Sequence, residues 1–152
     1  MILADYGDSL FKVLFLGHIV SLLVAFAPAV INPILAAKVK SADGEEVLVK
    51  VAGHLYTNGR YIHFPALIAL GGFGIAMVLT SDPVFGFDDT WVSLAFLLWL
   101  AIIGLVLGVI TPNERKLAAG DREAEQKVAM GGQITTLLTL VMLYLMIWKP
   151  GA

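Results

Sequence analysis

The chain has 152 residues, 59% of them hydrophobic and only 14% charged, with a mean hydropathy of +0.86. Soluble domains run at about 45–50% apolar and about 25% charged, and a chain this short cannot bury such an excess in its own core, so the surplus apolar surface faces lipid. The net charge of −2 and the lack of a basic run exclude nucleic-acid binding, and the lack of Cys excludes disulfide frameworks, thiolate metal sites and Cys nucleophiles.

A transmembrane helix needs roughly 20 mainly apolar residues. Four stretches meet or approach this, at about 10–37, 64–80, 91–110 and 134–148. The composition and spacing predict an all-α, polytopic membrane protein whose whole length, 1–152, is one four-helix bundle.

Before the first span, "MILADYGDS" carries Asp5 and Asp8 and no base. The "AFA" at 25–27 has the small-residue pattern of a signal-peptide cleavage site, but the acidic start and Pro28 argue for a retained span. Within that span His18, Ser21, Ala25, Pro28 and Asn32 recur at three- and four-residue spacing and share one helix face, predicted to point inward. Lys12 lies near the span's end, where a long amine reaches water as an interfacial anchor. Pro28 and Pro33 bracket Asn32 and predict a kink.

The loop after the first span holds Lys38, Lys40, Lys50 and Arg60, and the loop after the third holds Arg115, Lys116, Arg122 and Lys127. The loop between spans two and three has Asp82, Asp88 and Asp89 and no base. Lys and Arg accumulate on the cytoplasmic side. Both basic loops are therefore expected in the cytoplasm and both termini outside, in a bacterial inner membrane.

Spans two and four are short for a bilayer, so their helices are expected to begin earlier, as cytoplasmic extensions over about 43–63 and 113–133. Acidic residues open both segments, as the helix dipole favours. Glu46–Lys50 and Glu123–Lys127 have the spacing of intrahelical pairs. A break is possible at Pro65. Both segments contain "KVA" at the same distance from that Glu, which suggests two related hairpins.

The remaining spans also carry small or polar seams: Ala69, Gly72 and Ala76 in the second, Ala101, Gly104 and Gly108 in the third, and Thr135, Thr139, Met142 and Met146 in the fourth. Such seams let helices approach closely and are expected to line the bundle interior.

An ionisable residue inside a membrane span is a functional-site candidate by default. His18 is that residue. His54 and His63 fall near the opposite side, so the three histidines do not converge on a metal. His18 is expected either to hold a facing helix by a hydrogen bond or to serve as an axial haem ligand, with Met142 or Met146 as a possible second ligand. No catalytic side-chain set, phosphate loop or metalloprotease motif is present, and every Asp and Glu is placed in a loop or tail.

The stretches "FKVLFLGHIVSLL", "RYIHFPALIALGGFGIAMVL", "WVSLAFLLWLAIIGLVLGVITPNERKL" and "LYLMIWKP" resemble those of small, uncharacterised bacterial four-span proteins similar to the membrane domains of copper-resistance D proteins. A more distant likeness is to the four-span, haem-containing protoporphyrinogen oxidase of bacteria, which also has a His in its first span. That resemblance implies haem b on His18. The Lys that family carries in its third span has no counterpart here, so the likeness implies haem binding without the oxidase reaction. The leading expectation is a non-enzymatic accessory subunit that packs, through lipid-embedded faces, against other membrane subunits or copies of itself in a respiratory or other energy-transducing complex. The alternative is a b-type haem protein built on His18.

Overall fold

The computed structural model describes residues 9–42, 44–81 and 85–151. Asp5, Asp8 and Asp82, and the side chains of Lys40 and Glu46, lie outside the described residues, and with them part of the charge asymmetry and the Glu46–Lys50 pair.

Four helices are long and apolar enough to cross a membrane, and no strand occurs among the described residues. Helix α1 runs Ser9–Ala42 and stays helical through Pro28 and Pro33. Helix α2, Gly44–Asn58, passes through a wide π turn at Gly59–His63 into α3, Phe64–Thr80. Helix α4, Thr90–Leu105, passes through a second π turn at Val106–Ile110 into α5, Thr111–Ala118. Helix α6 runs Ala124–Trp148, about 37 Å at helical rise. Span two is therefore preceded by a helical extension, whereas the extension expected for span four over 113–133 divides. Thr111–Ala118 continues span three as α5, and only the part from Ala124 onward leads into span four.

The two π turns have a common cause. Pro65 and Pro112 sit at the first positions of α3 and α5 and cannot donate a backbone hydrogen bond. Membrane helices accommodate such residues by local widening. In each case the residue before the proline donates across five residues, Phe64 to the Gly59 carbonyl and Thr111 to that of Val106. Pro65 thus widens the helix rather than breaking it.

Packing divides the four spans into two antiparallel pairs, α1 with α3 and α4 with α6, which meet each other less extensively. A layer of Leu67, Leu70, Ala95, Ile102, Met142 and Leu145 joins the pairs at mid-height. At one end Phe11, Phe85, Trp91 and Val92 cluster together. At the other, α2 packs on α5 and the start of α6 through Ala52, Leu117 and Ala124. Helix α6 closes on Lys149 in the left-handed conformation (φ 44°), whose N–H reaches the Leu145 carbonyl.

Candidate functional site

Of the sequence seams, those of spans one and four face inward, that of span two is mixed, with Ala69 and Ala76 half-buried and Gly72 open, and that of span three is open. Ser21, Thr135, Thr139 and Met142 are buried and His18, Asn32 and Met146 half-buried, as their spacing predicts. Ala101, Gly104 and Gly108 are exposed, and a Cβ added to either glycine would meet nothing within 4 Å. Gly72 is likewise open, and its neighbours Gly71 and Gly74 make the close contacts instead. A Cβ on Gly71 would stand 2.2 Å from the Trp99 ring, and one on Gly74 would stand 3.2 Å from the His18 ring.

The His18 Nδ1 lies 2.9 Å from the Leu70 carbonyl. A carbonyl only accepts, so Nδ1 carries the proton, and in the neutral ring Nε2 keeps its lone pair. His63 repeats the arrangement in the opposite direction, with Nδ1 2.7 Å from the Val24 carbonyl. The first histidine reaches from α1 to α3, and the second reaches back from the foot of α3 to α1. Residues 18 and 24 are about 9 Å apart along the helix, so the two bonds fasten the pair at two heights. Trp99 Nε1 donates to the Leu67 carbonyl at 2.9 Å, a third such bond that ties α4 to α3. Of the two roles expected for His18, the link to a facing helix is present in the geometry, and it leaves Nε2 uncommitted.

Two cavities lie between the helix pairs, separated by the Leu70–Ile102 layer. The first, about 380 Å³, is lined by His18, by aromatic residues including Phe85, Trp91 and Trp99, and by Met77, Met142 and Met146. The methionines expected near His18 therefore share its cavity. Trp91 is only 5% exposed and its Nε1–H finds no acceptor among the described residues. The Lys149 Nζ stands 5.4 Å from the Trp91 ring centre and 5.9 Å from that of Phe85.

The second cavity, about 340 Å³, lies at the other end, where both π turns contribute to its wall. Val51, Ala52, Val128 and Ala129 line it too, so the two "KVA" segments face one space. Glu114 from α5 lines it and is 7% exposed. Glu114, expected among the charges of the loop and its helical extension, lies instead in the long helix of span three and is buried where α5 packs on α2. Asn32 opens onto the same space. The Glu123–Lys127 pair is absent, since α6 begins only at Ala124, and Arg122 pairs with Glu125 at 3.6 Å instead. Among the described residues no three His, Cys, Asp or Glu side chains converge as a metal site.

No family model matches this sequence, and neither a curated protein nor a solved structure matches it.

Proposed function

We propose that the chain is a membrane-embedded b-type haem protein in which His18 is an axial ligand. The observation that carries this reading is the His18–Leu70 hydrogen bond. It fixes the ring through Nδ1 and keeps Nε2 as a lone-pair donor beside an apolar cavity, the second-sphere arrangement that metal-ligating histidines use. The residues present suit the group. Aromatic and aliphatic walls fit a flat macrocycle, Met142 and Met146 offer thioethers, and the unpartnered Trp91 indole donor and the nearby Lys149 suit acidic substituents. A bound haem supplies one-electron exchange, and the protein supplies ligation, orientation and exclusion of water.

Purification in mild detergent, with haemin added to apoprotein, tests the reading through the visible spectrum. The expected result is a Soret band in wild type that His18→Ala loses and His63→Ala keeps. A wild-type protein that stays colourless after haemin addition overturns the proposal. If His18→Ala fails to fold, a shift of the band in Met142→Leu or Met146→Leu supplies the evidence.

A second reading, the accessory subunit, is favoured by the exposed Ala101–Gly104–Gly108 seam, since small residues at the lipid boundary admit a close second helix. The chain has no Cys, so Gly104→Cys introduces a unique crosslinking handle. Crosslinking in native membranes to a discrete larger species is the expected result, and an unreacted monomer sinks this reading.

A further inference from the structure

The second cavity has chemistry of its own, independent of haem. Glu114 is 93% removed from solvent by the complement of its 7% exposure, yet no ion pair or hydrogen bond engages its carboxyl among the described residues. Thr135 also lines the cavity and is 8% exposed, and its hydroxyl, itself closed off from solvent, has no hydrogen-bond partner among the described residues. Buried polar groups are nearly always satisfied, and a buried carboxylate without a cation is costly. The Glu114 carboxyl facing this space marks a place shaped for a group that satisfies it.

The position of the carboxyl follows from the backbone around it. The π turn at Val106–Ile110 delivers α5 into the space beside α2, so Glu114, two residues past Pro112, faces inward. On the opposite wall the other π turn presents Gly59, where an added Cβ would stand 3.3 Å from the Glu114 Oε2. A bare backbone at that point leaves the carboxylate its room. Wide turns of this kind occur disproportionately at functional sites.

The surroundings also select among cations. A divalent metal requires several oxygen ligands, about six for magnesium and more for calcium, and among the described residues no triad of acidic or His side chains is available. The rest of the wall is largely hydrocarbon and aromatic, with Phe26, Phe64 and Leu67 prominent. The wall also carries Glu125, which pairs with Arg122, and the polar side chains of Asn32, His63, Thr111, Gln133 and Thr136. Of the two carboxyls, that of Glu114 is the one left without a partner among the described residues. Such a carboxyl beside a largely apolar wall matches an ammonium group on a compact hydrophobic body. The ammonium donates to the carboxylate and hydroxyl, the aromatic faces favour the charge, and the hydrocarbon walls take the body.

We infer that the second cavity binds an amphiphilic organic ammonium through Glu114, with the Thr135 hydroxyl, once its side chain turns into the space, as the second polar contact. The ammonium belongs either to a free amine or to the headgroup of an aminolipid, because the cavity lies where the long helices leave their apolar stretches.

Adamantylamine is a suitable probe, with adamantanol as its neutral counterpart, measured by equilibrium dialysis on the full chain in phosphatidylcholine nanodiscs. The expected result is saturable amine binding, at least about tenfold stronger than alcohol binding and weakened at least about tenfold by Glu114→Gln. Equal binding of amine and alcohol, or undiminished amine binding by Glu114→Gln, overturns the inference. If Glu114→Gln does not fold, the wild-type amine–alcohol comparison decides alone. Adding phosphatidylethanolamine to the discs separates the sources: displacement of the probe assigns the lipid headgroup, and no displacement assigns a free amine. The amine measurement uses no haem and the haem spectrum uses no amine, so failure here and failure of the haem reading are read separately.

Discussion

The two cavities lie along one seam and differ in what their walls leave unsatisfied. In the first, the unmet groups are donors or ligands: the Trp91 indole N–H and the Nε2 lone pair of His18, surrounded by rings and thioethers. In the second, the groups with no partner among the described residues are the Glu114 carboxyl and the Thr135 hydroxyl. One fold therefore offers a soft, aromatic space at one end and an acidic one at the other. The difference arises from the helices that build each end. The first is walled by regular α-helical parts of the four spans, whereas the second is walled by two helices widened before a proline and by the α2–α5 packing that buries Glu114.

The comparison is broken most severely at Gly71. The Trp99 ring occupies the place of any side chain there, at 2.2 Å. Gly71→Ala forces the ring away and disturbs its bond to the Leu67 carbonyl, so overpacking is expected to cost about 1–3 kcal/mol in detergent unfolding. Gly72→Ala is the control and is expected to be close to neutral, because nothing lies within 4 Å of its Cβ. Equal effects at the two positions contradict the packing described. The same pair distinguishes the cavities: Gly71→Ala is expected to impair haem uptake while leaving the Glu114 space intact.

The contrast between Gly71 and Gly72 also shows what a sequence can disclose about this molecule. Hydropathy marks the four spans because twenty-residue apolar stretches have few other uses. The inward seams of α1 and α6 are legible because polar residues in hydrocarbon must face protein, and His18, Ser21, Thr135 and Thr139 obey that demand. Glycine makes no such demand. A small residue is compatible with a packed position or an open one, so periodicity put Gly72, Gly104 and Gly108 inside when those positions are open, and it missed Gly71, whose role is set by a tryptophan on another helix. Glu114 was hidden for a related reason. "PNERK" reads as solvated charge, and only the packing of α5 on α2 buries it. The available signal was Pro112 with Pro65, two prolines beside the same end of the bundle.

Next in size are the two histidines that fasten α1 to α3. Each interhelical bond in a membrane is worth about 0.6–2 kcal/mol, so His18→Phe and His63→Phe are each expected to lower stability within that range. Because the bonds join the same helices at different heights, the double variant is expected to lose slightly less than the sum, since the first loss already loosens the pair. Double-mutant analysis of unfolding midpoints in one detergent checks this. Strict additivity refutes a shared clamp.

The smallest expected effect lies at two threonines one turn apart on α6. Thr139 Oγ1 donates to the Thr135 carbonyl at 2.7 Å, whereas the Thr135 hydroxyl has no partner among the described residues. Valine has nearly the shape of threonine, so substitution isolates the hydroxyl. Thr139→Val removes a made hydrogen bond and is expected to cost about 0.5–1 kcal/mol. Thr135→Val removes an unsatisfied buried group, so in the ligand-free protein it is expected to be neutral or stabilising by up to about 1 kcal/mol. In the presence of adamantylamine the order changes. Thr135→Val then forfeits a contact to the ammonium and shows less ligand-induced stabilisation than wild type, whereas Thr139→Val shows the same increment. Parallel thermal unfolding with and without the amine reads both. If Thr135→Val keeps the full increment, the hydroxyl is no part of the ammonium site, and the acidic character of the second cavity rests on Glu114 alone.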